Sequence, residues 1–440
     1  MKKTDRKVRV IGGGLAGVEA ARFLSDRGLL VELFEMRPAK STPAHKTGLL
    51  GELVCSNSLK GTDPQTAHGL LKKELSRLNS LVLRAAGETS VPAGKALAVD
   101  RNAFAEALTR EIESDERIQV VRREVCEIDP ETPTIVATGP LTSDALAARL
   151  VDMLGNERMF FYDAISPIVD AQSIDMSRAF FGSRWEERST DYLNCPLERD
   201  EYDGFVRALL EADRVQAHAF EDACFFDACL PVEVIAGRGS ESLRYGPMRP
   251  VGMVDPSSGR RPYAVLQLRR ENLKGDAYNM VGFQTRLTYP EQKRIFSLIP
   301  ALSCAVFHRY GSIHRNTYFD SPRVLNRDLS LKGHPRTFLA GQLTGVEGYV
   351  ESASTGIYAA IGLLSCLQGK ELPVPPADTA LGALIQYITE PREDRLQPSN
   401  INFGIMEAPV NIPKKRRKEI RLERETMSFE NWCHSLSGLI

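Results

Sequence analysis

Apolar residues gather at Val8, Val10 and Ile11, break at Gly12, Gly13 and Gly14, and return at Leu15, Val18, Ala21 and Leu24. The first cluster predicts a short buried strand. The second, spaced by three, predicts an amphipathic helix ending near Gly28. A further apolar run from Leu29 to Phe34 predicts another strand, closed by Glu35. Strand, glycine turn, helix, strand and terminal acid together form a dinucleotide-binding pattern. Gly12 permits the turn, Gly14 lets backbone approach a pyrophosphate, and Gly17 lets the helix pack on the sheet. Gly13 completes the loop, and the first-turn amides at Leu15 and Ala16 hold phosphate at the positive end of the helix. Glu35, 18 residues beyond Gly17, is placed to accept a ribose hydroxyl. S-adenosylmethionine enzymes use a similar loop and acid, and a plain glycine turn is the bland alternative.

Two later runs separate these readings. Residues 134–139 form a strand ending in Ala137, Thr138 and Gly139. Residues 337–342 form another, running into Gly341 and Gln342, then Gly345, Gly348 and a helix rich in small residues. Flavoproteins of the glutathione-reductase type use two such returns, one near the adenosine half and one carrying a helix N-terminus to the flavin. No second glycine fingerprint follows, so the expected cofactor is FAD, with no separate nicotinamide domain. The predicted fold is α/β: an FAD-binding Rossmann-like domain over residues 1–185 and 326–440, interrupted by a smaller α+β insertion at 186–325.

Charge changes the picture only locally. Lys and Arg number 56 against 57 acids, so no global field attracts a polyanion. The span 244–270 nevertheless holds six arginines and one acid, and 412–425 holds seven basic and three acidic residues. Solvated faces are the ordinary explanation for such runs; two on a neutral chain favour phosphate contacts. No apolar stretch suits a membrane span or a secretory signal. Dispersed cysteines without a close pair, and histidines without ligand spacing, predict neither disulfides nor a metal. A cytoplasmic enzyme is expected.

Two cysteines stand apart. Cys55 follows a short apolar run and precedes Ser56 and Asn57. Cys229 precedes Pro231 and Glu233, which resemble a helix start whose dipole would favour thiolate. From spacing alone, each reads more readily as a small buried hydrophobe, as most cysteines are. Cys126, Cys224, Cys304 and Cys366 read as core.

Twelve segments then occur in one order: Gly12–Gly17, Phe34–Pro38, Thr42–His45, Val54–Leu59, Ala96–Arg101, Ser166–Val169, Asp191–Pro196, Cys229–Glu233, Gly246–Gly252, Val281–Thr285, His314–Tyr318 and Gly345–Ser352. In these the chain resembles the folate- and FAD-dependent tRNA uracil-5-methyltransferases, from about residue 7 to residue 404. Gly13 replaces an expected alanine, Asp227 a glutamate, Ser242 a threonine and Arg249 a lysine, all mild changes.

The resemblance implies methylation of C5 of the T-loop uridine of tRNA. The carbon would come from 5,10-methylenetetrahydrofolate and the electrons from NAD(P)H through FAD. It implies Cys229 as the thiolate that adds to uracil C6, and Cys55 as a second functional thiol guarding the flavin or removing the C5 proton. Arg37 joins the cofactor residues. Tyr349 is a candidate to stack on a flavin or pterin ring, or is simply a surface aromatic. Glu351 either contacts folate or caps its helix. Arg244, Arg249 and Arg269 are expected to hold RNA phosphates. No obligatory protein partner is implied. The same chemistry on ribosomal RNA, or a flavin oxidoreductase without RNA, are the alternatives. A related wobble-uridine enzyme would need a longer helical C-terminal extension.

Overall fold

The computed structural model describes residues 7–42, 44–155, 158–184, 189–215, 230–408 and 416–438. The first apolar cluster is the strand Lys7–Ile11, the three-spaced run is the helix Leu15–Ser25, and the next run is the strand Leu30–Glu35. The two strands pair in parallel, Val8 opposite Val31 and Val10 opposite Leu33.

Six strands build this sheet in the order Ser330–Leu331, His334–Leu339, Thr134–Val136, Lys7–Ile11, Leu30–Glu35, Ile118–Arg122. All pairs are parallel except the hairpin at the Ser330 edge. Parallel strands bury both faces, which explains their unbroken apolar runs. Val8, Val10, Ile135, Val136, Phe338 and Leu339 are completely buried. Both returns read from the sequence lie on one side of the first strand, Thr134–Val136 beside it and His334–Leu339 next beyond, so segments far apart in sequence open at one carboxyl edge.

The helix Tyr349–Gln368 packs against Leu15–Ser25. A Cβ at Gly356 would sit 2.2 Å from the Ala16 carbonyl oxygen, so only glycine permits this approach. By length and apolarity the helix could cross a membrane, yet 15 of its 20 residues are buried inside the fold.

A second six-stranded sheet, antiparallel throughout, runs Phe180–Gly182, Tyr192–Leu197, Ala264–Arg270, Ala277–Met280, Ile168–Asp170, Phe307–Arg309. It has its own apolar cluster around Leu193, Leu266, Met280 and Phe283. The chain reaches it through Arg158–Ala164 and leaves through Ile313–Phe319, which pair with each other. Two of its strands thus precede residue 186, where the insertion was expected to begin; their short runs gave no clue to sheet membership.

The cysteines differ from expectation. Cys126 and Cys304 are exposed and Cys366 is half-buried. Among the described cysteines Cys195 is the buried one, its thiol pushed up to about 12 by burial. Cys224 lies outside the described residues. So do Lys414 and Lys415 of the basic run; the helix that carries most of the rest, Arg417–Ser435, is anchored by buried Phe429 and Trp432.

Candidate active site

Where the parallel strands end, the glycine turn, Glu35, Arg37, Thr138, Gly139, Gly341, Gln342 and Tyr349 line one cleft of about 1000 Å³, partly open to solvent. Gly12 has φ +108°, and a Cβ there would stand 2.5 Å from the Ala137 carbonyl oxygen. A Cβ at Gly17 would meet the Gly12 oxygen at 1.8 Å, whereas one at Gly14 would meet nothing within 4 Å. Gly17 therefore lets the helix close on the turn, and Gly14 leaves its backbone bare. The amides of Leu15, Ala16 and Gly17 precede any intrahelical acceptor and Gly14 supplies no side-chain cap, so an anion fits there.

Glu35 is buried and held by four donors. Its Oε1 accepts from the Arg37 amide and Nε, both at 3.0 Å. Its Oε2 accepts from the Gly13 amide at 3.0 Å and Arg37 Nη2 at 3.2 Å. Burial pushes its carboxyl up, but Arg37 and these amides outweigh that and hold it below the usual range. A carboxylate offers about four acceptor positions, so a ribose hydroxyl reaching Glu35 would have to displace an Arg37 contact. Arg37 itself bridges to Glu52 at 2.9 Å.

Three expected cofactor residues stand outside the cleft lining: Gly17, Gly348 and Glu351. Gly348 has φ +122°, and a Cβ there would meet Glu351 Oε2 at 2.2 Å. Glu351 is 1% exposed, with Lys60 Nζ at 3.2 Å, His68 Nδ1 at 3.4 Å and the Ile401 amide at 3.3 Å. Burial opposes its charge, yet Lys60 and His68 hold the carboxyl at about 2. Direct folate contact by Glu351 is therefore corrected. Its carboxylate lies against the turn at Gly348, enclosed by Lys60, His68 and the Ile401 amide.

Cys55 sits at the Tyr349 end of the cleft, next to Val54, which lines it. The Cys55 amide donates to the Tyr349 hydroxyl at 3.0 Å. Arg101 donates to the Leu53 and Cys55 carbonyls, each at 2.6 Å, and Arg309 to the Val54 carbonyl at 3.2 Å. Fully buried Asn57 donates to Val99 at 2.9 Å and to Arg270 at 3.0 Å. Arginines thus cap three successive carbonyls of the loop that carries the thiol.

Arg269 belongs to this scaffold. It is 6% exposed, donating to Asn57 Oδ1 and Ser56 Oγ, both at 2.9 Å. Its expected role as an RNA-phosphate contact is corrected: the strand Ala264–Arg270 turns it inward. Arg244 is half-buried, pairs with Glu241 at 3.0 Å and lies 4.4 Å over the Tyr263 ring. Arg249 is exposed. Cys229 lies outside the described residues. Pro231 precedes a helix of only five residues, Val232–Ala236, as its N-cap rather than its first residue. Glu233 there is buried against Thr285 and the Arg286 amide, each at 2.9 Å, so it is no free first-turn charge.

Sequence reasoning missed Lys60, His68, Arg101 and Arg309, whose partners are distant in sequence. It also missed Arg123, Glu124 and Val125 in the cleft wall, which carry no motif.

The family profile described as "Glucose inhibited division protein A" matches residues 7–371. Proteins named methylenetetrahydrofolate--tRNA-(uracil-5-)-methyltransferase TrmFO are similar over nearly the whole chain. That of Desulfotalea psychrophila is 51% identical over 430 residues, covering 97% of each chain. That of Moorella thermoacetica is 52% identical over 429 residues, covering 98% of each. The crystal structure of Aquifex aeolicus GidA aligns with TM-score 0.68 at 17% identity, over 97% of this chain and 73% of that one, which shows a common fold.

Proposed function

The chain belongs to the TrmFO family, and we propose that it methylates C5 of the T-loop uridine, position 54, of tRNA. The carbon comes from 5,10-methylenetetrahydrofolate and the electrons from NAD(P)H through FAD. The observation that carries this reading is the meeting of the Cys55 loop with Tyr349 at the end of a dinucleotide cleft. A plain flavin reductase needs no thiol on a loop anchored by three arginines.

FAD fits the residues present. The bare backbone at Gly14 and the first-turn amides suit a pyrophosphate, Glu35 suits a ribose, and Tyr349 and Gly341 lie where the ring system would end. When bound, it supplies the hydride equivalents that convert a methylene bridge to methyl.

The rest is the work of thiols. C5 of uracil is a weak nucleophile until an electron pair adds at C6. The Cys229 thiolate forms that S–C6 bond, and C5 then attacks the methylene carbon of the folate. Loss of the C5 proton breaks the remaining methylene–nitrogen bond and expels tetrahydrofolate, leaving an exocyclic methylene at C5. A hydride equivalent added to that carbon would make the methyl, and the returning electron pair breaks the S–C6 bond, restores the ring and frees the thiol. Cys55 stands on the flavin side, either as the base for that proton or as guard of the resting cofactor. The target base must leave its stack to reach this depth. Arg244 and Arg249 are the phosphate contacts of this reading, and the reaction belongs in the cytoplasm, where tRNA and reduced nicotinamide meet.

Incubation with unmodified tRNA, methylenetetrahydrofolate and NADPH, followed by nucleoside mass spectrometry, tests it. Stoichiometric 5-methyluridine at position 54 is expected. No methylated nucleoside, or methylation only of ribosomal RNA, overturns it.

A further inference from the structure

A second cleft borders the first across the 52–55 loop. Glu52 lines both, Val54 only the first and Leu53 only the second. Nothing in the chemistry above uses it.

Part of its lining is aromatic. Tyr289 and Tyr310 stack with ring centroids 5.1 Å apart and planes at 20°, and Phe307 extends the ladder from Tyr310 at 5.2 Å and 25°. Tyr289, at the end of the ladder, is 57% exposed. A ladder of rings with its last ring open to solvent is a ready stacking platform.

Another part is cationic. Arg101 is paired with Glu271, but Arg309 has no carboxylate within ion-pair distance among the described residues, and its one hydrogen bond there goes to the neutral Val54 carbonyl. Burial, and then repulsion from Arg101, push its pKa down, and the more distant Glu271 only partly offsets them. The lining also holds an unused acceptor: Glu271 is 7% exposed, and its Oε2 is buried with no hydrogen-bond partner.

An open aromatic face, an uncompensated guanidinium and a spare carboxylate oxygen are what an unpaired nucleotide needs. Its base stacks, its phosphate meets the guanidinium, and a base N–H meets the carboxylate. We propose that this cleft holds an unpaired RNA nucleotide flanking the target uridine, with its base on Tyr289 and its phosphate at Arg309. The inference rests on the RNA-methylation reading above and adds where the RNA is gripped. Since Arg309 also holds the Val54 carbonyl, RNA seated there steadies the loop that carries Cys55.

The test compares the FAD-loaded wild type with Tyr289→Ala and Tyr289→Phe, using flavin absorbance to confirm folding. Affinity for a T-arm hairpin RNA is read by fluorescence anisotropy. Tyr289→Ala should weaken binding roughly 5- to 100-fold, the range for loss of one stacked base. Tyr289→Phe, which keeps the ring, should bind as wild type, and KM for methylenetetrahydrofolate should not move in either. With 5-iodouridine in the hairpin loop, irradiated wild type should yield a crosslinked peptide containing Tyr289 or Tyr310. Unchanged RNA affinity in Tyr289→Ala, with crosslinks only elsewhere, overturns the proposal. So does a raised folate KM at unchanged RNA affinity, which would give the cleft to the folate tail. A wild type that grips the hairpin through Tyr289 but methylates nothing would sink the reaction reading alone.

Discussion

The amide of Cys55 donates to the hydroxyl of Tyr349 at 3.0 Å across 294 residues of sequence. This contact ties a loop of the first 60 residues to the start of the helix Tyr349–Gln368, and it does so at the end of the cofactor cleft. Tyr349→Phe keeps the ring but leaves the amide without its acceptor, at a cost of about 1 kcal/mol. The variant should retain FAD with full stoichiometry and lose methylation rate several-fold. Loss of FAD together with activity would mean that Tyr349 serves cofactor binding rather than the thiol loop.

Close backbone packing behind the glycine turn makes a second prediction. A Cβ at position 356 would stand 2.2 Å from the Ala16 oxygen, where no flexible side chain can yield. Gly356→Ala should destabilise by about 1–3 kcal/mol. Thermal unfolding should show a lower Tm, and the protein should purify with less flavin. An unchanged Tm would mean that the two helices separate without cost.

The buried Glu351 carboxyl should leave a pH signature. Lys60 and His68 outweigh burial and hold it at about 2, below its ordinary 4.5. A carboxyl depressed on folding contributes stability above about pH 4.5 and loses it as pH falls toward 2. Because Lys60 is 31% exposed, solvent screens part of the gain. Urea unfolding of wild type and Glu351→Gln should differ by roughly 2 kcal/mol at pH 7, and the gap should close between pH 4.5 and 2. A pH-independent gap would assign the effect to packing.

Two arginines of the basic insertion should now behave differently. Exposed Arg249 is free to meet phosphate, so Arg249→Glu should weaken tRNA binding and lower its salt slope by about one. Arg269 holds Ser56 and Asn57. Arg269→Gln should reduce methylation and thermal stability while leaving the salt slope of RNA binding unchanged. Equal salt slopes for the two variants would return Arg269 to the RNA surface.

The cofactor cleft was legible because its requirements are local: a turn with φ +108° at Gly12, an unobstructed Gly14, and a period that changes from strand to helix within eight residues. The Cys55 scaffold was not. Lys60 meets Glu351 across 291 residues, and Asn57 meets the Arg270 carbonyl across 213, distances at which periodicity carries no signal. Arg269 was misread for a related reason. Counted along the chain it joins a basic cluster, yet in its strand even the polar positions face inward, as the burial of Gln267 and Arg269 shows.

The proposed chemistry divides its labour between two thiols, and covalent trapping measures that division. RNA carrying 5-fluorouridine at the target position cannot release a thiol bound at C6 once C5 has been alkylated. With folate and FAD present, wild type and Cys55→Ser should each be assayed for a protein–RNA adduct by intact mass spectrometry beside Cys229→Ala. The account predicts an adduct through Cys229 in the wild type and none in Cys229→Ala, although that variant still binds FAD and oxidises NADPH. An adduct that persists in Cys229→Ala and vanishes in Cys55→Ser would contradict it, and would make Cys55 the nucleophile.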